Sequence, residues 1–216
     1  MPLRTPQWTV AATLVGALAV TAGCQPITPG SPGRAETPSA RESRTAADRL
    51  DRLTVAKAGS MRGYSRDKFP HWRSTGENCD VRDSVLRRNG TNVKVSGCNV
   101  VAGTWTNVYD GRTLDSPSKV EIDHLVPLAN AWRSGASSWS TTRREDFAND
   151  LNHPELVPVS QTSNRAKGDQ DPSMWKPPAR GNWCEYAANW IAVKSYWKLT
   201  VTSAEKAALK DMLERC

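Results

Sequence analysis

Read for the period of its hydrophobic positions, the chain falls into three kinds of segment. Residues 10–20 (VAATLVGALAV) form an uncharged, mainly apolar run, residues 25–45 hold little to bury, and from Ala46 onward apolar positions recur at regular spacings. In AADRLDRLTVAKA (46–58), Leu50 and Leu53 stand at helical spacing, so the ordered domain is expected to begin at Ala46. Residues 184–197 carry Ala187, Trp190, Ile191, Val193 and Trp197 as one helical stripe. Thr202-Ser203-Ala204-Glu205 then reads as a capping box that opens a second helix through Leu209 and Leu213. VRDSVLRR (81–88) is helix-like and runs into an Asn89-Gly90 turn signal. The middle of the chain has short β-leaning runs, VKVSG (93–97), VVAGTW (100–105) and KVEID (119–123), separated by turn signals. Residues 129–150, with Trp132, Trp139 and Phe147, read as helix or loop. This order predicts an α+β domain with few strands.

The two N-terminal segments read as targeting rather than fold. Arg4 is the only charge before residue 24, and an 11-residue apolar run ending in Thr21-Ala22-Gly23 suits a signal peptide better than a membrane span. Cys24 follows directly. Ala-Gly-Cys resembles a bacterial lipobox, with Thr21 where Leu or Val is usual, so the expectations are a lipidated Cys24 or ordinary secretion with cleavage nearby. Residues 24–45, rich in Pro, Ser and Gly, read as a flexible tether.

Composition narrows the chemistry. The 216 residues include 29 Lys+Arg against 22 Asp+Glu, a net charge of +7, which suits a polyanionic partner without choosing among nucleic acid, teichoic acid and anionic lipid. Nine Trp against two Phe suggest a core built on indoles, and three His exclude a histidine-rich metal cage. Setting Cys24 aside leaves Cys79, Cys98, Cys184 and Cys216, an even number that suits an oxidising compartment. In an antiparallel pair formed by the last two helices, Cys184 at the start of one lies beside Cys216 at the end of the other. That leaves Cys79–Cys98, and each bridge would contribute about 3 kcal/mol. There is no Cys-x-x-Cys, Gly-x-Ser-x-Gly, Walker, His-Glu-x-x-His or EF-hand sequence.

One stretch does carry candidate chemistry. In KVEIDHLVPL (119–128), Val120 and Ile122 alternate with Glu121 and Asp123; for Asp123 and His124 to serve one site, the strand must end or twist there. After a spacer holding Asn149, Asn152 and His153, Leu156–Val159 reads as a second short strand, placed at an edge by Pro158. Ser160 or Thr162 can cap a short helix that Gly168 closes, with Asn164 and Lys167 three apart on one face.

Strand, Asp-His, loop, strand and Asn-bearing helix resemble the ββα-metal (HNH) core of HNH endonucleases. The blocks CDVRDSVL, GTW, IDHLVPLANAWRSGASSW, FANDL and NRAKGD, with the four-cysteine spacing, are similar to secreted actinobacterial HNH-family proteins whose catalytic region is related to the C-terminal domain of the GmrSD restriction enzymes. At that level the likeness spans residues 46–216. It implies a metal-dependent phosphodiester hydrolase. His124 would take a proton from water as a neutral imidazole. Asp123 and Asn164 would offer oxygens to one divalent cation, Mg or Mn; Glu121 reads first as a surface residue of the strand, with assistance to the metal through water as the alternative. Asn149 and Asn152 both fit the residue that orients the base, and Asn152, just before the second strand, is preferred. Lys167, Arg165 and Arg82 are candidates for holding phosphates. His71 and His153 read as packed or surface residues, and the tryptophans as core.

The resulting expectation is an exported endonuclease of low sequence specificity, monomeric, acting on DNA first and RNA second, and touching a membrane only through the lipid on Cys24. Its main rival is a non-catalytic envelope lipoprotein that binds cell-wall polyanions. A glycan hydrolase would need two carboxylates flanking a sugar groove, and only Glu121 and Asp123 offer themselves.

Overall fold

The computed structural model describes residues 38–216; the expected signal peptide, Cys24 and the expected tether up to residue 37 lie outside the described residues. Helix α1 runs Pro38–Arg52, then β1 Ser74–Gly76, β2 Cys79–Asp80, α2 Val81–Asn89, β3 Thr91–Ser96, β4 Asn99–Thr106, β5 Thr113–Leu114 and β6 Val120–His124. Helices α3 Leu128–Arg133 and α4 Thr141–Ala148 follow, then β7 Leu156–Ser160, α5 Gln161–Lys167, α6 Trp183–Trp197 and α7 Ser203–Leu213. The chain is thus α+β, with short antiparallel sheets among helices.

The helical layer is α1 packed on α6 and α7. Ala46, Leu50 and Leu53 form the buried stripe of α1, as their spacing predicts. The helix nevertheless begins at Pro38 rather than Ala46, so residues 38–45 are not part of a flexible tether. The Pro and Gly residues that break structure in 25–45 end at Pro38, which stands in the first turn, where a missing N–H costs nothing. Thr202 and Glu205 form the capping box that opens α7. The disulfide Cys184–Cys216 joins the start of α6 to the chain end beyond α7, and Cys79–Cys98 joins β2 to the β3–β4 turn, the two predicted pairs. Among the described residues, no helix is long and apolar enough to cross a membrane.

The Asn89-Gly90 signal marks the end of α2. The tight turn comes seven residues later, where Ser96 pairs with Asn99 across Gly97-Cys98 and Gly97 takes φ 58°. Two indoles lie fully buried with their N–H groups satisfied: Trp105 donates to the Leu86 carbonyl at 2.8 Å and Trp190 to Glu205 Oε1 at 2.7 Å.

Strands β6 and β7 form a two-stranded antiparallel sheet, with Ile122 opposite Pro158, Asp123 opposite Val157 and His124 opposite Leu156. With only two strands both are edges, which is why Pro158 is tolerated. Ser160 caps α5, Gly168 ends it at φ 55°, and the helix packs on both strands. The short strand–strand–helix unit is wedged between the helical layer and the β3–β4–β5 sheet, and it carries the residues of interest.

Candidate active site

The strand ends at His124, and that ending solves the alternation problem: Asp123 and His124 both reach one cavity of about 240 Å³, and Asn164 reaches it from α5. Tyr64, Arg66 and Asp169 complete its polar wall. The three residues singled out in IDHLVPL and NRAKGD therefore meet at one place.

His124 is 3% exposed, and its Nε2 lies 2.9 Å from the Ala148 carbonyl at the end of α4. A carbonyl only accepts, so Nε2 carries the proton and the lone pair of the neutral ring sits on Nδ1. Burial pushes the imidazole down to about 3, helped by the charges of Arg66 and Lys167 and by His71, against the pull of the Ala148 carbonyl. The ring is neutral at physiological pH. His71 and Trp72 flank it, with ring centroids 6.1 and 6.0 Å away.

Asn149 does its work through the backbone. Its amide donates to the Pro70 and Glu145 carbonyls at 2.9 and 2.7 Å and accepts the Arg73 N–H at 2.9 Å. It thereby pins the segment that carries His71 and Trp72, where Trp72 is held at φ 61°, unusual for a bulky residue. It also fixes the corner whose preceding carbonyl, Ala148, holds His124. Asn152 is not brought to this cavity; it is exposed and lines a different cavity of about 350 Å³ with Arg88, His153 and Glu185.

Asp123 is 8% exposed, and its two oxygens have unlike surroundings. Oδ2 accepts from the Tyr109 hydroxyl at 2.6 Å and from Lys167 Nζ at 2.7 Å. Oδ1 has no protein hydrogen bond among the described residues. Burial and the Asp123 charge push the Tyr109 hydroxyl well up, so it stays a donor. Asn164 is arranged in the same way: its Nδ2 donates to Glu121 Oε2 at 2.8 Å, which leaves the amide oxygen as its open end. Glu121 thus orients the amide directly, neither a bare surface residue nor one that acts through water. Among the described residues, no three of His, Cys, Asp and Glu gather in a metal-binding group.

The basic candidates separate sharply. Lys167 is 0% exposed, its ammonium spent on Asp123 and on the His124 carbonyl at 3.0 Å, so it does not reach phosphate at the surface. Arg82 donates to the Pro117 and Val120 carbonyls at 3.1 and 2.9 Å and anchors the start of β6 instead. Arg165 is exposed on α5. His153 is braced on Asp150 at 2.8 Å and stacked on Tyr196 at 3.6 Å. The residues that sequence reasoning missed are Tyr109 and Arg66. Arg66 opens a single 3-10 turn, Arg66–Lys68, without any motif, yet it stands exposed on the cavity wall and its charge weighs most among those acting on His124.

The sequence profile described as GmrSD restriction endonucleases, C-terminal domain, matches residues 80–212, a span that holds every residue of this cavity except Tyr64 and Arg66. An uncharacterized secreted protein of Arthroderma benhamiae is 52% identical over 180 residues, covering 83% of this chain and 88% of the relative. No solved structure matches the chain.

Proposed function

The chain belongs to the family of the GmrSD restriction endonuclease C-terminal domain, and from that premise we propose that it is an exported, metal-dependent endonuclease of the HNH type that hydrolyses phosphodiester bonds of DNA, and of RNA second. Its β6–β7–α5 unit would be the ββα-metal core. The observation that carries this reading is the cavity wall shared by His124, Asp123 and Asn164, each of which keeps one atom free of protein hydrogen bonds among the described residues: Nδ1 of the imidazole and one side-chain oxygen on each of the other two.

The donor set suits a hard cation. One carboxylate oxygen and one amide oxygen are too few and too hard for zinc, and agree with Mg or Mn that keeps most of its coordination for water and phosphate. Held by Asp123 Oδ1 and Asn164 Oδ1, such a cation would neutralise charge on the scissile phosphate and the departing oxygen. The remaining chemistry falls to the chain. His124 Nδ1 takes the proton as a water oxygen bonds to phosphorus and the phosphorus–oxygen bond to the leaving group breaks. The Ala148 carbonyl accepts from Nε2–H and stabilises the imidazolium formed. Arg66, on the rim, meets the entering phosphate. Export agrees with the two disulfides and with the secreted relative; a lipid on Cys24 is part of the same proposal, with the motif as its support.

Plasmid nicking by the full mature chain, oxidised, with Mg or Mn, tests this reading. Cleavage should vanish with EDTA and fall by at least 100-fold in His124→Ala, the usual size of a general base's contribution. A folded, disulfide-intact protein that cleaves nothing with any divalent ion would turn the assignment towards polyanion binding without catalysis. Retained cleavage in His124→Ala would keep the reaction and move the site.

A further inference from the structure

Lys167 is the largest charged side chain buried at the site, and the mechanism above leaves it without a task. Its ammonium lies 2.7 Å from Asp123 Oδ2, and the Tyr109 hydroxyl lies 2.6 Å from the same oxygen. The third contact, the His124 carbonyl at 3.0 Å, ties the ammonium to the strand end itself. Lys167 is wholly buried, so water does not screen this charge as it would on the surface. Two consequences follow for any cation at Asp123. The carboxylate has one oxygen to offer, because the other is committed twice. It also offers little net charge, because a full positive charge sits on its far side. Among the described residues, Arg66 adds a second positive group on the cavity wall, the Asp169 carboxylate on that wall is paired with Arg133 at 3.2 Å, and Glu121 is engaged with the Asn164 amide. A phosphodiester, by contrast, would bring the missing negative charge with it.

We infer that Lys167, with Tyr109, is a built-in counter-charge on Asp123: a positioning pair that confines the carboxylate to one open oxygen and keeps divalent-cation affinity of the empty site low, so that the cation is held firmly only together with a phosphodiester. The inference rests on the cation reading of the site and adds to it the order in which the two ligands are retained. Binding is then reciprocal: the phosphate strengthens the cation and the cation strengthens the phosphate.

Mn²⁺ alone is the probe, titrated by calorimetry and by the loss of its free-ion electron paramagnetic signal into the oxidised full chain, with plasmid nicking run in parallel. Lys167→Met keeps the length and apolar stem of the side chain and removes the charge. It should bind Mn²⁺ roughly tenfold more tightly or better than the wild type, a modest demand for removing one unit charge a few ångströms from a divalent ion. A phosphorothioate oligonucleotide that resists cleavage should tighten Mn²⁺ binding in the wild type and do so less in the variant. A lysine that served only to hold the fold together would give the opposite sign, with weaker binding after its removal. Tyr109→Phe covers the case in which Lys167→Met does not fold; freeing Oδ2 of one hydrogen bond should tighten Mn²⁺ by about threefold, on the scale of a modest hydrogen-bond change. Unchanged or weaker Mn²⁺ binding in a folded variant, beside a wild type that still nicks DNA with Mn²⁺, overturns the inference and leaves the nuclease standing. No Mn²⁺ binding by any of the three proteins, with no nicking, overturns both.

Discussion

Two buried lysines in this molecule are paired with carboxylates, and they end differently. Lys194 of α6 lies 2.9 Å from Glu205 of α7, and Lys167 of α5 lies 2.7 Å from Asp123 of β6. In the first pair everything is closed. Lys194 also donates to Ser134 Oγ at 2.7 Å and to the Thr200 carbonyl at 2.9 Å, while Glu205 accepts from the Trp190 indole and from the Thr202 N–H of its own capping box. In the second pair the lysine is equally spent, but the carboxylate, on a residue that lines a cavity, keeps one oxygen free of protein hydrogen bonds among the described residues. The same chemical pair is a brace where both partners are saturated and a candidate site where one is not. Burial alone does not tell them apart; the count of unspent lone pairs does.

The closed pair supplies the largest effect expected. Lys194→Met leaves Glu205 buried with its charge uncompensated, and should destabilise the oxidised protein by about 3–5 kcal/mol, read by urea denaturation, without altering Mn²⁺ binding. Burial pulls the Lys194 ammonium below its ordinary value. The unfolded chain therefore holds more protons than the folded one in the window just below pH 10.5, and this lysine adds stability as pH rises through that window. A Lys194→Met protein with unchanged stability would dissolve the contrast between brace and site.

Much of the fold and part of the candidate site were legible in the chain, and the illegible part has physical causes. Local signals carried through: the capping box at Thr202, the cysteine pairs set by helix ends, and the strand–strand–helix order that gathers Asp123, His124 and Asn164. Depth was not legible. The spacing of Asn164 and Lys167 puts them on one helix face, but whether that face meets solvent or β6 depends on packing, so Lys167 read as a surface phosphate grip and is instead wholly buried. Tyr109 comes from a loop 14 residues before Asp123 and has no periodic pattern to mark it. Asn152 was preferred over Asn149 because it precedes the strand, yet the turn at Asp150, which accepts the Asn152 and His153 N–H groups, carries Asn152 outward. Backbone carbonyls such as that of Ala148 leave no trace in side-chain patterns at all.

A smaller effect sits between the two regions, at Glu155. Its Oε2 accepts the Val126 N–H at 3.0 Å, its Oε1 is buried without a protein partner, and burial pushes the carboxyl well above the ordinary value of 4.5. The sign is fixed by linkage. Above pH 4.5 the unfolded chain releases this proton while the folded chain keeps it, so the stability that Glu155 contributes is complete below pH 4.5 and declines as pH rises. Glu155→Gln keeps an acceptor for Val126 and removes the titration. It should be more stable than the wild type at pH 7, where the buried carboxyl is disfavoured most, and no more stable at pH 4. Urea denaturation at both pH values checks this; equal differences at the two would mean that Glu155 titrates normally.

The smallest effect tests the open side of the comparison. Arg66 stands exposed on the cavity wall that it shares with His124. If the open oxygen marks the place where a phosphate arrives, Arg66 should contribute to nucleic-acid affinity even without metal, and Arg165, on the same helix as Asn164 but outside the cavity wall, should contribute less. Arg66→Gln should weaken binding of a labelled oligonucleotide in EDTA by about threefold at moderate salt and lower the slope of log affinity against log salt by about one, the signature of one lost phosphate contact. Arg165→Gln provides the control at the same net charge. Equal losses in the two variants would mean that the chain attracts nucleic acid through its overall positive charge, with no phosphate seated beside Asp123. A loss confined to Arg66→Gln would mean that the phosphate enters past Tyr64 and Arg66, on the side where Asp123 and Asn164 present their open oxygens.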